Sequence, residues 1–78
     1  MMTMRRVNAW LKENFISEDY FEVCISENKV SVICHNDDTE EVLTVYEGEE
    51  AEEEGMTLYK KLLKKYGKEV VVLDNLLD

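Results

Sequence analysis

Between Tyr20 and Tyr46 the chain alternates apolar and polar residues with period two, in three runs separated by short polar stretches. Phe21, Val23 and Ile25 point one way; Tyr20, Glu22, Cys24 and Ser26 point the other. Val30, Val32 and Cys34 alternate in the same manner with Ser31, Ile33 and His35, and a third run covers Glu40–Tyr46. Glu27-Asn28 fits a two-residue hairpin loop, since Asn tolerates the positive φ such loops use. Asn36-Asp37-Asp38-Thr39 is turn chemistry. Pairing Ser26 with Lys29 sets Ile25 opposite Val30, Val23 opposite Val32 and Phe21 opposite Cys34. Pairing His35 with Glu40 sets Val32 opposite Leu43 and Val30 opposite Val45. Both choices gather the apolar residues of all three runs on one face, with only Glu41 out of place; a one-residue slip would scatter them. An antiparallel three-stranded meander is expected. Its other face (Tyr20, Glu22, Cys24, Ser31, Ile33, His35, Val42, Thr44 and Tyr46) is mixed, as for a sheet with one wet side.

Two helices flank this meander. Met4, Val7, Leu11 and Phe15 recur at helical spacing, with Trp10 and Asn14 beside them and Thr3 placed to cap. Ser17-Glu18-Asp19 reads as a turn. A second helix begins within the acidic run Glu47–Glu54, since carboxylates suit a first helical turn. Tyr59, Leu62, Leu63 and Tyr66 mark its expected buried stripe, with Met56 and Leu58 alongside; Lys60, Lys61, Lys64 and Lys65 sit near its C-terminal end, and Gly67 fits the position just after it. Val70–Leu73 is a β-branched run, expected as a fourth strand, and Asp74–Asp78 as a tail. The expected fold is α+β, a two-layer α-β-β-β-α-β domain with the helices on one face of the sheet, spanning residues 1–78 as one unit.

At 78 residues the chain can build one modest core and little more. No apolar run approaches the roughly 20 residues of a membrane span. The stretch from Met1 to Arg6 carries two Arg with no apolar run behind it, so a cytoplasmic protein without a secretory leader is expected. Cys24 and Cys34 fall on opposite sheet faces, so a disulfide between them is not expected.

The sequence lacks the groups that catalysis needs. There is no Gly-rich phosphate loop, no paired-His metal helix and no serine elbow. His35 is the single histidine; its neighbour Cys34 points to the other sheet face, and Cys24 lies four residues off in register. No enzyme, cofactor or metal site is expected. Asp37, Asp38, Glu40 and Glu41 lack the alternating ligands and Gly of a calcium loop and read as a solvated turn.

Charge is the feature left over. Of eighteen acidic residues, twelve lie between residues 20 and 55, against the single Lys29 there; five lysines follow in residues 56–78. Such a segment is either a solubilising surface or a negative face for a basic partner groove. The candidate partner-binding residues are Asp37 and Asp38 as one patch, Glu49, Glu50, Glu52, Glu53 and Glu54 as another, and Tyr46, since Tyr is enriched at interfaces. The expected function is a small acidic non-enzymatic interaction module with a basic protein partner. In size and charge it is similar to the small inhibitors that phages encode against nucleic-acid-handling enzymes, anti-CRISPR proteins among them. The alternative is an assembly subunit that self-associates, as a homodimer for instance, through the exposed sheet face or an edge strand.

The α-β-β-β-α order resembles the double-stranded RNA-binding domain, over most of the chain as topology. That resemblance implies phosphate contacts from a basic loop and a basic start to the second helix. Here those places hold Asn36-Asp37-Asp38 and a run of glutamates, which repel a phosphate backbone, so direct nucleic-acid binding is not expected; a degenerate domain of this RNA-binding kind, with RNA affinity at low salt, is the third reading.

Overall fold

The computed structural model describes residues 3–15, 20–35 and 39–77. The turn expected at 17–19 lies outside the described residues, as does all but Thr39 of the turn expected at 36–39, and with it the candidate patch Asp37 and Asp38. The element order is α1 (Met4–Asn14), β1 (Tyr20–Ile25), β2 (Lys29–His35), β3 (Glu40–Glu47), α2 (Ala51–Tyr66) and β4 (Val71–Asn75). This is an α+β fold built on one open, mixed sheet of order β3-β2-β1-β4.

The meander follows from its alternation. β1 and β2 pair antiparallel with Phe21 opposite Cys34, Val23 opposite Val32 and Ile25 opposite Val30, the register expected from the hairpin. The loop differs in one respect: among the described residues no side-chain-bearing residue takes a positive φ, Asn28 included. The turn is closed instead by two bonds onto the Lys29 carbonyl, from the Ser26 N–H (2.9 Å) and the Ser26 hydroxyl (3.2 Å). The Asn28 carbonyl accepts the Gly48 N–H (2.9 Å), which fastens the loop to the end of β3.

β2 and β3 also pair antiparallel, with His35 opposite Glu40 and Val32 opposite Leu43. The expected pairing of Val30 with Val45 does not occur. The register slips between Val30 and Ser31, so that Tyr46 stands opposite Val30 and Thr44 opposite Ser31. Val45 is the extra residue of a β-bulge, and strict period two fails there. Val45 stays buried and Tyr46 joins it against the core.

β4 lies parallel to β1 at the far edge, with Phe21 opposite Val71 and Val23 opposite Leu73. A parallel partner requires a long crossover, and α2 supplies it, passing from β3 across β2 and β1 to reach β4. The strand continues past the expected Leu73: Asp74 and Asn75, read from the sequence as tail, belong to it.

Both helices pack on the same sheet face, into a single core with Val7 and Leu11 from α1, Leu58 and Leu62 from α2, and Phe21, Val23, Ile25, Val30, Val32 and Val71 from the sheet. Thr3 caps α1, its hydroxyl accepting the Arg6 N–H (3.3 Å). On α2 the buried stripe is Ala51, Gly55, Leu58 and Leu62; Tyr59, Leu63 and Tyr66, expected at its centre, lie half-buried on its flank. The two small residues decide this rotation, because they allow the helix backbone to settle close to the strands. α2 ends at Gly67, whose φ of 94° is open to glycine and strained for other residues, and whose N–H bonds the Leu63 carbonyl. No helix among the described residues is long and apolar enough to cross a membrane.

Candidate interaction surface

Two acidic surfaces emerge from this architecture. The first is the start of α2. Its N-cap is Glu50, whose side chain makes no cap bond, and its first turn carries Glu52, Glu53 and Glu54. The fold brings this turn to the hairpin end of the sheet, where Gly55 approaches Ile25 and Val30. Glu49, Glu50, Glu52 and Glu53 are exposed and Glu54 is half-buried. The helix dipole welcomes some of this charge. The remainder is crowded: a hydrogen bond with the Glu50 carboxyl, and then the charge of that carboxylate, raise the Glu53 carboxyl above its ordinary 4.5. Among the described residues the ion pairs are those of His35, so none of these glutamates is neutralised by a lysine or arginine.

A titration follows from this crowding. A raised carboxyl binds its proton more tightly in the folded chain, so the Glu50–Glu53 bond stabilises the fold below pH 4.5 and its contribution is lost as Glu53 ionises above that value. Carbon-detected NMR titration is expected to place Glu53 above the ordinary 4.5. In Glu50→Gln, where an amide replaces the like charge, the Glu53 value is expected to fall back; an unchanged value would contradict Glu50 as the cause of the shift.

Tyr46, singled out as a candidate interface residue on the exposed face, lies half-buried on the other side. The bulge turns it toward the core side, and its hydroxyl accepts the Glu50 N–H (3.3 Å). It thereby occupies one donor at a helix start that Glu50 leaves uncapped.

The second surface is the open sheet face, with no helix over it. Tyr20, Val42 and Val72 are exposed there by 44%, 57% and 42%, among the carboxylates Glu22, Glu40 and Asp74. His35 organises the upper part. Its Nε2 lies 2.8 Å from Glu22 Oε1 on β1, and its Nδ1 lies 3.5 Å from Glu40 Oε1 on β3. The Tyr20 ring stacks on the imidazole at 4.8 Å and 20°. Three strands are joined through one side chain, and both ring nitrogens face carboxylates rather than a nucleophile. The sequence register places Glu40 beside His35; the Glu22 contact runs diagonally from the adjacent pair and was not foreseen.

The cysteines are free. Cys34 is buried on the core side, where burial and then Glu41 push its thiol up to about 11. Cys24 sits on the open face, its thiol raised by burial first and then by Asp74 and Glu22. Thiols held in this protonated form are poor nucleophiles and poor ligands. Among the described residues no three His, Cys, Asp or Glu side chains gather as a metal site.

Comparison with protein-family models, with curated proteins and with solved structures finds no match to this chain.

Proposed function

We propose that this domain is an acidic protein-interaction module whose partner is a basic protein surface. The observation that carries the reading is the uncompensated carboxylate cluster at the start of α2, crowded enough that Glu50 raises the Glu53 carboxyl above its ordinary value. A cationic groove brought to this end relieves that repulsion, and the partner's own charges become the missing counter-ions. Where the partner is a nucleic-acid-handling protein, occupation of its groove excludes the nucleic acid, the mode of an inhibitor of the phage type. Direct nucleic-acid binding is opposed by the same charges, since Glu52, Glu53 and Glu54 stand where a phosphate backbone calls for cations.

The test is a tagged pull-down from cell lysate at low and high salt, run in parallel with a Glu49→Lys/Glu50→Lys/Glu53→Lys variant. A basic protein is expected at low salt, shed at high salt, and missing with the variant. With the purified pair, the variant is expected to slow association by about tenfold or more at low salt, the lower end of electrostatic steering. Identical capture by both forms would remove the electrostatic mechanism.

A second reading rests on a different observation. The β3 edge carries exposed Glu40, Glu41 and Glu47, a guard against pairing, whereas the β4 edge carries Val72 and leads to Leu76 and Leu77, exposed by 60% and 43%. A self-associating subunit would pair through β4. Sedimentation separates the readings, because this one alone requires a concentration-dependent dimer without any partner.

A further inference from the structure

At the opposite end of α2 from its glutamates, the structure holds an open groove of about 480 Å³ between the two helices. Its walls reverse the charge of the molecule. Acidic residues outnumber basic ones eighteen to nine in the chain, yet among the described residues no acidic one lines this groove, and three cations do: Arg5 and Lys12 from α1 and Lys65 from α2. Among the described residues none of the three makes an ion pair.

Helix electrostatics account for two of them. Lys12 and Lys65 stand in the last turns of α1 and α2, where a cation offsets the negative helix end. Arg5 has no such account. It stands in the first turn of α1, where the dipole disfavours a cation and no acidic residue relieves it. Seven positions apart on one helix, Arg5 and Lys12 share a side of α1, and both line the groove.

Asn8 apart, the rest of the wall is apolar and well fixed. Ala9, Phe15 and Tyr66 line it. Phe15 and Tyr66 meet edge to face at 6.3 Å, and each also meets the buried Phe21, at 5.0 Å and 5.4 Å. The Tyr66 hydroxyl donates to Asn8 Oδ1 (3.4 Å), which leaves the Asn8 amide NH₂ as a further donor beside the groove. Lys65 Nζ lies 5.5 Å from the centre of the Tyr66 ring. A preformed concavity of this size, mostly apolar with a few convergent polar groups, is the general form of a small-molecule site.

We propose that this groove binds a small amphipathic organic anion, its flat apolar body against Ala9, Phe15 and Tyr66 and its carboxylate, sulfonate or phosphate head held by Arg5 between Lys12 and Lys65. Arg5 supplies the planar fork suited to such a head group. The site is separate from the acidic surfaces, and it stands or falls independently of the partner proposed for them.

The probes are 8-anilinonaphthalene-1-sulfonate and its neutral counterpart N-phenyl-1-naphthylamine, which lacks the sulfonate. The sulfonate probe is expected to bind despite the protein's net charge of −9, with salt-weakened affinity and amide shifts centred on Ala9, Phe15 and Tyr66. An Arg5→Gln/Lys65→Gln variant, both changes being at the surface, is expected to weaken the sulfonate probe by about tenfold or more, equivalent to about 1.4 kcal/mol, and the neutral probe by less than about twofold. Circular dichroism checks that the variant is folded, and the amide map of the unaltered protein stands whether or not it is. No binding, shifts confined to the open sheet face, or equal weakening of both probes would each overturn the proposal. So would the appearance of these same shifts on raising protein concentration without probe, which would make the groove a contact for the acidic end of a second copy.

Discussion

Replacing Phe21 by alanine is expected to remove most or all of the folding free energy. Phe21 is fully buried near the start of β1, between Cys34 of β2 and Val71 of β4. Its ring is the hub of the edge-to-face trio with Phe15 at the end of α1 and Tyr66 at the end of α2. Removing a buried Phe side chain costs about 3–5 kcal/mol, the lost transfer energy and the cavity together. Against this, a chain of this length holds roughly 4–12 kcal/mol in all, and small domains lie toward the lower end. The loss cannot be absorbed locally, since both helices and three strands meet at this ring. Urea unfolding followed by circular dichroism is the measurement. The alanine variant is expected either without a native baseline or with its midpoint shifted far toward zero urea. Phe21→Leu, which keeps most of the volume, should retain a cooperative transition at a smaller cost. A Phe21→Ala variant within about 1 kcal/mol of the parent would mean that the trio is not the keystone of the core, because that value lies below the range for buried aromatic truncation. The folded Phe21→Leu variant also reports on the anion groove. It removes the ring that fixes Phe15 and Tyr66, so the apolar body of a bound probe should lose more than its charged head.

How much of this was legible in the sequence depends on how local the determining interaction is. The β1–β2 register was readable because both strands alternate and a short loop joins them, so the apolar face and the hairpin vote for the same pairing. The pairing of His35 with Glu40 followed in the same way. The slip one turn later was not legible. Val45 and Tyr46 are both apolar, either could be the inward residue, and the bulge lets both be. That single extra residue takes Tyr46 from the open face to the helix start, where its hydroxyl meets the Glu50 N–H. The stripe on α2 departs from its sequence expectation for a related reason: size alone points to Tyr59, Leu63 and Tyr66 as core, whereas Ala51 and Gly55 take the closest positions because they are small. The edge occupied by β4 had no local signal, since its partner β1 is reached only across the whole of α2. The acidic candidates Glu49 to Glu54 were plain as charges, and the structure adds their crowding and their lack of counter-ions. The basic groove was invisible, for its cations are contributed by the two helices at opposite ends of the chain.

Gly55→Ala, a change that favours an isolated helix, is expected to destabilise this one. In an exposed helix interior the substitution gains about 1 kcal/mol. Gly55 is buried, and a Cβ built on it falls 2.5 Å from Ile25 Cγ1, 2.6 Å from Ile25 Cδ1 and 3.2 Å from Val30 Cγ2. Ile25 and Val30 are themselves fully buried, so neither side chain has free space to swing into. Overpacking of this kind costs about 1–3 kcal/mol and more as the added group grows, so the net effect of alanine is a loss and that of leucine a larger one. The decisive measurement is a double-mutant cycle with Ile25→Ala. That change removes the two atoms nearer than 3.0 Å and leaves the 3.2 Å approach of Val30 Cγ2, and in its background Gly55→Ala should reverse sign and stabilise by less than about 1 kcal/mol. Ile25→Val offers a milder background in which the penalty should shrink without vanishing. A Gly55→Ala variant more stable than the parent would show that α2 can rise off the strands at no cost. The acidic surface depends on the same contact, because Glu52, Glu53 and Glu54 form the turn that immediately precedes Gly55. In the Gly55→Ala protein the lifted turn should separate Glu50 from Glu53 less than it shifts both from the sheet. The raised Glu53 titration is therefore expected to persist while the Tyr46 hydroxyl loses its bond to the Glu50 N–H, a change that amide shifts at Glu50 would report.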